Sequence, residues 1–122
     1  MSTAEQHLAI LAKHLGFEHS RILDIGSGGG ELSLALSHKG AKVTGIECSR
    51  DQMKRAIAQQ GNECKFIFSV GQNLPFRDSY FDATVFLNSI HHIPEDSIEI
   101  AISEAISVTK SGGLVYVAEP LA

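Results

Sequence analysis

The amino-acid sequence predicts an α/β fold built on a five-stranded, mostly parallel sheet. Short apolar runs rich in β-formers alternate with helical patterns along most of the 122 residues. The runs are almost continuously apolar, which is typical of strands covered by helices on both faces of a sheet. A glycine-rich segment follows the first run and opens a helical pattern, as in folds that bind ligands at the carboxyl ends of parallel strands. The length suits a single domain over residues 1–122.

The first half of the chain contains three predicted helices and three predicted strands. Thr3 and Gln6 have the spacing of a capping box at the start of the first helix, and Gly16 follows its last apolar position. Ser49 and Gln52 repeat this signal. The predicted helices are residues 3–15, 31–38 and 49–60, and the predicted strands are residues 21–25, 41–47 and 64–70.

The second half contains a loop, two strands and one helix. Residues 71–80 form the loop, and residues 81–88 form the fourth strand. Pro94 suits the first position of a helix, whose predicted apolar face is Ile98, Ile102, Ala105 and Ile106. Residues 111–113 form a turn into a fifth strand that Pro120 ends, so the predicted core covers residues 21–120.

Composition and charge exclude several classes of protein. Apolar residues make up 43% and charged residues 20% of the chain, which is ordinary globular usage. The net charge is −4 without a block of like charges, so we do not expect a nucleic-acid surface. No apolar run is long enough to span a membrane. Without a signal peptide, we expect a cytoplasmic setting in which Cys48 and Cys64 are reduced.

The glycine segment allows several nucleotide ligands. A phosphate loop requires Lys and then Ser or Thr after its last glycine, whereas Glu31 and Leu32 follow Gly30. A dinucleotide fingerprint requires a third small residue, but that position falls on Glu31 when counted from Gly26. Counted from Gly28 it falls on Ser33, a marginally better match. Because Glu31 would repel a pyrophosphate, an NAD-dependent oxidoreductase is the weaker alternative.

Two further acids favour a nucleoside with a cationic tail. Glu47 ends the second strand, where its carboxylate can accept hydrogen bonds from both hydroxyls of a ribose. It could instead be a solvated acid at a strand end. Asp24 ends the first strand, where it can pair with a cationic ligand group or act as an acceptor that orders the loop.

The segment from Asp24 to Gly30 resembles the first motif of class I S-adenosylmethionine-dependent methyltransferases. The resemblance extends from Arg21 to Pro120 and includes residues 73–76, 80–82, 88–93 and 110–113. It implies a Rossmann-like three-layer sandwich with strand order 3-2-1-4-5. It also implies methyl transfer from S-adenosyl-L-methionine to a small-molecule acceptor, with S-adenosyl-L-homocysteine as the product.

The resemblance also implies which residues hold this cofactor. Asp24 and the glycine loop would contact its methionine portion, Glu47 its ribose, and Cys48 and Met53 its adenine. Asn88 would lie near the sulfonium. Val70 stands where many members carry an adenine-binding acid, which leaves that role to the residues after it. The expected cofactor-binding residues are Asp24, Gly26, Ser27, Gly28, Glu47, Cys48, Met53, Gly71, Gln72 and Asn88.

The histidines after the fourth strand are the candidate catalytic residues. Displacement at a sulfonium requires mainly alignment of the reacting atoms, and a base is needed only if the acceptor must lose a proton. His91 and His92 could supply that base, or one could pack while the other faces solvent. We expect the remaining histidines, His7, His14, His19 and His38, at the surface. No spacing indicates a metal site.

The sequence lacks the last two strands of the family, which has two consequences. The fifth strand would be left as an exposed edge, so either the sequence is part of a longer protein or a second copy or another partner covers that edge. The segments that usually contact the substrate would also be partly missing. A non-catalytic S-adenosylmethionine-binding or interaction module, a fragment of a longer enzyme, is therefore an open alternative.

Overall fold

The computed structural model describes residues 3–61 and 63–119 and contains one five-stranded sheet. All strand pairs are parallel and the order is β3-β2-β1-β4-β5, so the predicted topology is confirmed. The strands are β1 (Arg21–Ile25), β2 (Lys42–Glu47), β3 (Cys64–Phe68), β4 (Phe81–Leu87) and β5 (Thr109–Ala118). The helices are α1 (Thr3–Leu11), α2 (Glu31–His38), α3 (Arg50–Ile57) and α4 (Ile98–Val108).

Helices cover both faces of the sheet and enclose two apolar cores. Side chains of α1, α2 and α3 pack on one face, around Ile22, Val43 and Val85. Side chains of α4 pack on the other face, around Leu23 and Phe86. The alternation of Ile22 and Leu23 between the two cores follows from the two-residue period of a strand. The predicted three-layer arrangement is therefore confirmed.

The order of the strands brings three carboxyl ends together. β1 is central and lies between β2 and β4. The backbone N–H groups of Gly26 and Ser27 both donate to the carbonyl of Ile46, each at 2.9 Å. These two bonds hold the loop after β1 against the end of β2. The sheet therefore opens at its topological switch point, where α/β folds bind ligands.

The first helix is shorter than predicted. It ends at Leu11, not Leu15. The N–H of Lys13 bonds to the carbonyl of Ile10, and that of His14 bonds to the carbonyl of Leu11. Both bonds span three residues, so the chain leaves the helix through a tight turn of the 3-10 type.

The α4–β5 region departs from prediction in three ways. A 3-10 turn of Glu95–Ser97 follows Pro94, and the α-helix begins only at Ile98. Ile106 is 60% exposed because Ala101, Ala105 and Val108 form the buried stripe. β5 starts directly at Thr109, and residues 110–113 are a bulge inside it. The predicted stop at Pro120 lies outside the described residues.

We expect Gly30→Ala to destabilise the fold by about 2 kcal/mol, because overpacking and a positive φ both oppose a larger residue. Gly30 has φ +94°, and a Cβ there would lie 2.7 Å from Cζ of Phe66, a buried ring. Chemical denaturation measures the loss. Gly16→Ala is the matched control, since no atom lies within 4 Å of its added Cβ. Equal stability of the two variants would contradict this packing.

Candidate functional site: a cleft at the carboxyl ends of β1, β2 and β4

A cleft of about 1030 Å³ opens at the switch point of the sheet. This volume is at the upper end of the range for small-molecule sites. The cleft extends from the glycine loop to the first turn of α1. Eight of the predicted site residues line it: Asp24, Gly26, Ser27, Gly28, Glu47, Cys48, Asn88 and His92.

Glu47 is fixed at the end of β2 by three backbone amides. Its Oε1 accepts from the N–H of Gly28 at 2.8 Å. Its Oε2 accepts from the N–H groups of Cys48 at 3.0 Å and Ser49 at 2.8 Å. A carboxylate has about four acceptor positions, so one remains for a ligand hydroxyl. The sequence analysis predicted hydrogen bonds from both ribose hydroxyls to Glu47. The second hydroxyl can bond only if it replaces one of these backbone amides.

Asp24 is a buried carboxyl with little compensation for its charge. It is 2% exposed, and among the described residues it accepts one side-chain hydrogen bond, from Ser33 Oγ at 2.7 Å. Burial raises the pKa of Asp24 to about 6, opposed by the Ser33 bond and assisted by repulsion from Glu47 and Glu31. A buried carboxylate without a cationic partner is costly, so a cationic ligand group in the cleft would stabilise it.

Ser27 and Gly28 provide further features suited to a ligand. Ser27 is 7% exposed, and its Oγ has no hydrogen-bond partner among the described residues. An unpaired buried hydroxyl is uncommon and requires an explanation. A Cβ at Gly28 would meet open space, so its backbone lies open to the cleft. Both observations fit a polar ligand held against this loop.

Asn88 and Ser89 join the end of β4 to the glycine loop. Ser89 is buried, and its Oγ donates to the carbonyl of Ile25 at 2.7 Å. A Cβ at Gly26 would lie 2.5 Å from Cβ of Ser89, so only glycine allows this approach. Asn88 has φ +53°, and its N–H donates to the carbonyl of Ala118 at 2.7 Å. This conformation is uncommon outside glycine and holds Asn88 at the cleft wall.

The two adjacent histidines have different surroundings. His92 lines the cleft, whereas His91 does not. His91 Nδ1 lies 2.7 Å from Oε2 of Glu119, whose Oε1 accepts from the N–H of Ile90 at 2.6 Å. The centroids of the two imidazole rings are 4.0 Å apart. Glu119 therefore anchors the 3-10 turn of Ile90–His92 and leaves His92 directed to the cleft.

Three predicted cofactor contacts lie outside the cleft lining. Met53 is 5% exposed and packs in the α1–α3 core, because its position in α3 faces the sheet. Gly71 is buried, and a Cβ there would lie 3.1 Å from Ile25. Gln72 is half-buried and also lies outside the lining. Packing in the apolar cores therefore explains why a methionine stands at position 53 and a glycine at position 71.

Several residues in and beside the cleft were not predicted from the sequence. Ser33, Ser89 and Glu119 lie outside the lining and bond to Asp24, Ile25 and His91. They were missed because these bonds reach 9, 64 and 28 residues along the chain. His38 is exposed, as expected, and also lines the cleft. His7, also expected at the surface, is half-buried, and its Nδ1 lies 2.6 Å from the hydroxyl of Tyr116. The other lining residues that were not predicted are Thr3, Ala4, Glu5, Glu31, Leu32, Leu34, Ala35, Ser49, Gln52 and Leu87.

Residues 3–61 and 63–119 contain neither a cluster of metal ligands nor a helix that could span a membrane. Within this part of the chain, no group of three or more His, Cys, Asp and Glu side chains is arranged to hold a metal ion. No helix there is both long and apolar enough to cross a membrane. The expectation of a metal-free site stays a prediction.

Known proteins resemble this chain in sequence and in fold. The ubiquinone biosynthesis O-methyltransferase of Nitrosomonas europaea is 30% identical over 105 residues, which are 83% of this chain and 44% of that protein. The 27-O-demethylrifamycin SV methyltransferase of Amycolatopsis mediterranei is 34% identical over 76% of this chain and 36% of its own length. The chain thus spans less than half the length of either relative.

A solved structure and a family model extend this similarity. The crystal structure of a putative S-adenosyl-L-methionine-dependent methyltransferase from Methanococcus maripaludis matches with a TM-score of 0.81 and 25% identity. The match covers 95% of this chain and 53% of that one. A family model described as a methyltransferase domain matches residues 22–113, the region from β1 into β5. The chain therefore belongs to the methyltransferase-domain family.

Proposed function

We propose that the cleft binds S-adenosyl-L-methionine and that the protein transfers its methyl group to a small-molecule acceptor. The observation that carries this proposal is Asp24, a buried carboxyl that lines the cleft with one hydrogen-bond donor and two repelling acids nearby. A cationic cofactor would supply the missing positive charge. Family membership and the small-molecule methyltransferases among the relatives support the same cofactor and reaction.

In this proposal the two ends of the cofactor lie at the two ends of the cleft. Glu47 would accept a ribose hydroxyl at its remaining position, with Cys48 beside it. Asp24 would pair with the amino group of the methionine portion, and Ser27 Oγ would donate to a polar atom of that portion. Asn88, held at the end of β4, would border the sulfonium. Gly71 and Gln72 remain proposed only as neighbours of the adenine.

The chain itself would contribute orientation and proton transfer to the reaction. When bound, S-adenosyl-L-methionine supplies an electrophilic methyl group on a positively charged sulfur. The anchored Asn88–His92 segment would fix the acceptor's position relative to that group, which is the main requirement of a direct displacement. Of the two histidines, His92 is the better placed to accept a hydroxyl proton. His91 would position the turn through Glu119.

Two other functions make different predictions. A non-catalytic module would bind the cofactor at the same residues but would not transfer the methyl group. An NAD-dependent oxidoreductase is disfavoured because Asp24, Glu31 and Glu47 all line the cleft, where they would repel a pyrophosphate. Measurements of cofactor binding and of methyl transfer distinguish these functions.

Calorimetry on the full chain tests the proposal. We expect S-adenosyl-L-homocysteine to bind and NAD(H) not to bind, and the reverse result would overturn the proposal. Methyl transfer to a panel of small hydroxyl and amine acceptors then separates an enzyme from a binding module. Cofactor binding without transfer to any acceptor would favour the module.

We also propose that a second copy or another chain covers the free edge of β5. Among the described residues β5 lies at the edge of the sheet, and its Val117 is 47% exposed. Exposed edge strands readily pair with other strands. Sedimentation and amide hydrogen exchange test this, since a monomer with unprotected β5 amides would contradict it.

We also propose that the protein works in the cytoplasm. The free thiols of Cys48 and Cys64 support this setting.

A further inference from the structure

The cleft continues beyond the residues proposed for the cofactor. It extends along α2, where successive residues rise by about 1.5 Å, so His38 lies about 10 Å from Glu31 along the helix axis. The first turn of α1 and the end of β4 form the other walls. We call this extension the side arm, which is lined by Ala4, Glu5, Leu34, Ala35, His38 and Leu87.

The walls of the side arm are largely apolar. Ala4, Leu34, Ala35 and Leu87 are half-buried and pack against the core on the α1–α3 face of the sheet. Their remaining surface faces a concave space, and an apolar ligand that covers it removes that surface from water. Leu87 directly precedes Asn88, so the side arm meets the cofactor portion of the cleft at the end of β4.

The acidic side chains that line the cleft give it a negative charge. Glu5, Asp24, Glu31 and Glu47 line it, and no Lys or Arg is among the described lining residues. Arg55 pairs with Glu31 at 3.2 Å on the exposed rim. Repulsion from Glu47 and Glu31 contributes to the raised pKa of Asp24, which indicates a negative local potential. An anionic ligand would therefore be repelled.

We propose that the side arm holds the methyl acceptor and that this acceptor is an apolar molecule without negative charge. This inference rests on the proposed function and specifies its substrate class. A neutral molecule with a hydroxyl group meets both conditions, since its apolar body covers Leu34 and Leu87. Its hydroxyl would face His92, which lines the same cleft. Acceptors with a carboxylate or phosphate would bind more weakly.

Three phenols that differ mainly in charge test this inference by nuclear magnetic resonance. The full chain, saturated with S-adenosyl-L-homocysteine, is titrated with 4-hydroxybenzyl alcohol, 4-hydroxybenzoate and 4-hydroxybenzylamine. We expect the neutral and cationic probes to bind about fivefold more tightly than the anion, since a charge contact in water is worth about 1 kcal/mol. The amides of Leu34, Ala35 and Leu87 should shift.

Charge variants provide the control. Glu5→Gln combined with Glu31→Gln should narrow the difference between the neutral probe and the anion, whereas Glu18→Gln, at an exposed position, should leave it unchanged. Preference for the anion, no binding of any probe, or shifts away from the side arm would each overturn the inference. Absence of S-adenosyl-L-homocysteine binding would instead refute the proposed function, and this inference with it.

Discussion

Asp24→Asn is expected to stabilise the unliganded protein at neutral pH while it weakens cofactor binding. The pKa of Asp24 is raised from 3.8 to about 6 by burial. The folded state therefore favours the protonated carboxyl, and the contribution of this group to stability is complete below about pH 4. It is lost as the pH rises through about 6. The full loss above pH 7 is about 3 kcal/mol.

The asparagine variant removes this penalty because it has no charge to bury. It can keep an oxygen acceptor for Ser33 Oγ, although its amide hydrogens also require partners. We therefore expect a gain of about 1–3 kcal/mol above pH 7 that disappears below pH 4, measured by chemical denaturation at both pH values. Asp78→Asn, at an exposed position, is the control. Destabilisation of the Asp24 variant by the same amount at both pH values would contradict this account.

The same substitution should weaken binding of S-adenosyl-L-homocysteine at least tenfold, or by about 1.4 kcal/mol. The variant cannot form an ion pair with the ligand's amino group. Its opposite effects on stability and affinity distinguish a binding carboxyl from a purely structural one. Higher stability with unchanged affinity would show that Asp24 does not contact the ligand.

Glu47→Ala is expected to reduce cofactor affinity by more than tenfold. The change removes the acceptor for a ligand hydroxyl and leaves three backbone amides, those of Gly28, Cys48 and Ser49, without their carboxylate. Each lost bond to a charged group is worth about 1.5–3 kcal/mol. Calorimetry measures the affinity, and thermal denaturation shows whether the fold survives.

Glu47→Gln separates the charge from the geometry. It retains one oxygen for the backbone amides and should therefore bind more tightly than Glu47→Ala but more weakly than the unmodified chain. Glu18→Ala is the matched control because both partners of its Glu18–His19 pair are about 80% exposed. Equal affinity of all these proteins would place the ribose elsewhere.

Sequence reasoning predicted the fold well because its determinants are local. The alternation of apolar runs and capped helices is visible within short windows, and so is the glycine loop between Asp24 and Glu31. Strand order followed from the family resemblance. Boundaries were less accurate where packing decides them: Ile106 looks apolar in sequence, yet the buried stripe of α4 is Ala101, Ala105 and Val108.

The candidate site was predicted in part for the same reason. Asp24 and Glu47 lie at the carboxyl ends of the neighbouring strands β1 and β2, so the predicted strand order is enough to bring them to one cleft. The hydrogen bond between Ser89 and Ile25, and that between Glu119 and His91, join distant parts of the chain that no short pattern connects. Only the structure therefore distinguishes His92, which lines the cleft, from His91, which is held by Glu119.

Proton release on cofactor binding tests the central claim most directly. At about pH 6, Asp24 is half protonated in the unliganded protein, and pairing with a cationic amino group requires the carboxylate. Calorimetric titration with S-adenosyl-L-homocysteine, in two buffers that differ in ionisation enthalpy, should therefore show release of about half a proton. Asp24→Asn should abolish that release. The same release from the variant, or none from the unmodified chain, would contradict the assignment of Asp24 as the cofactor's carboxylate partner.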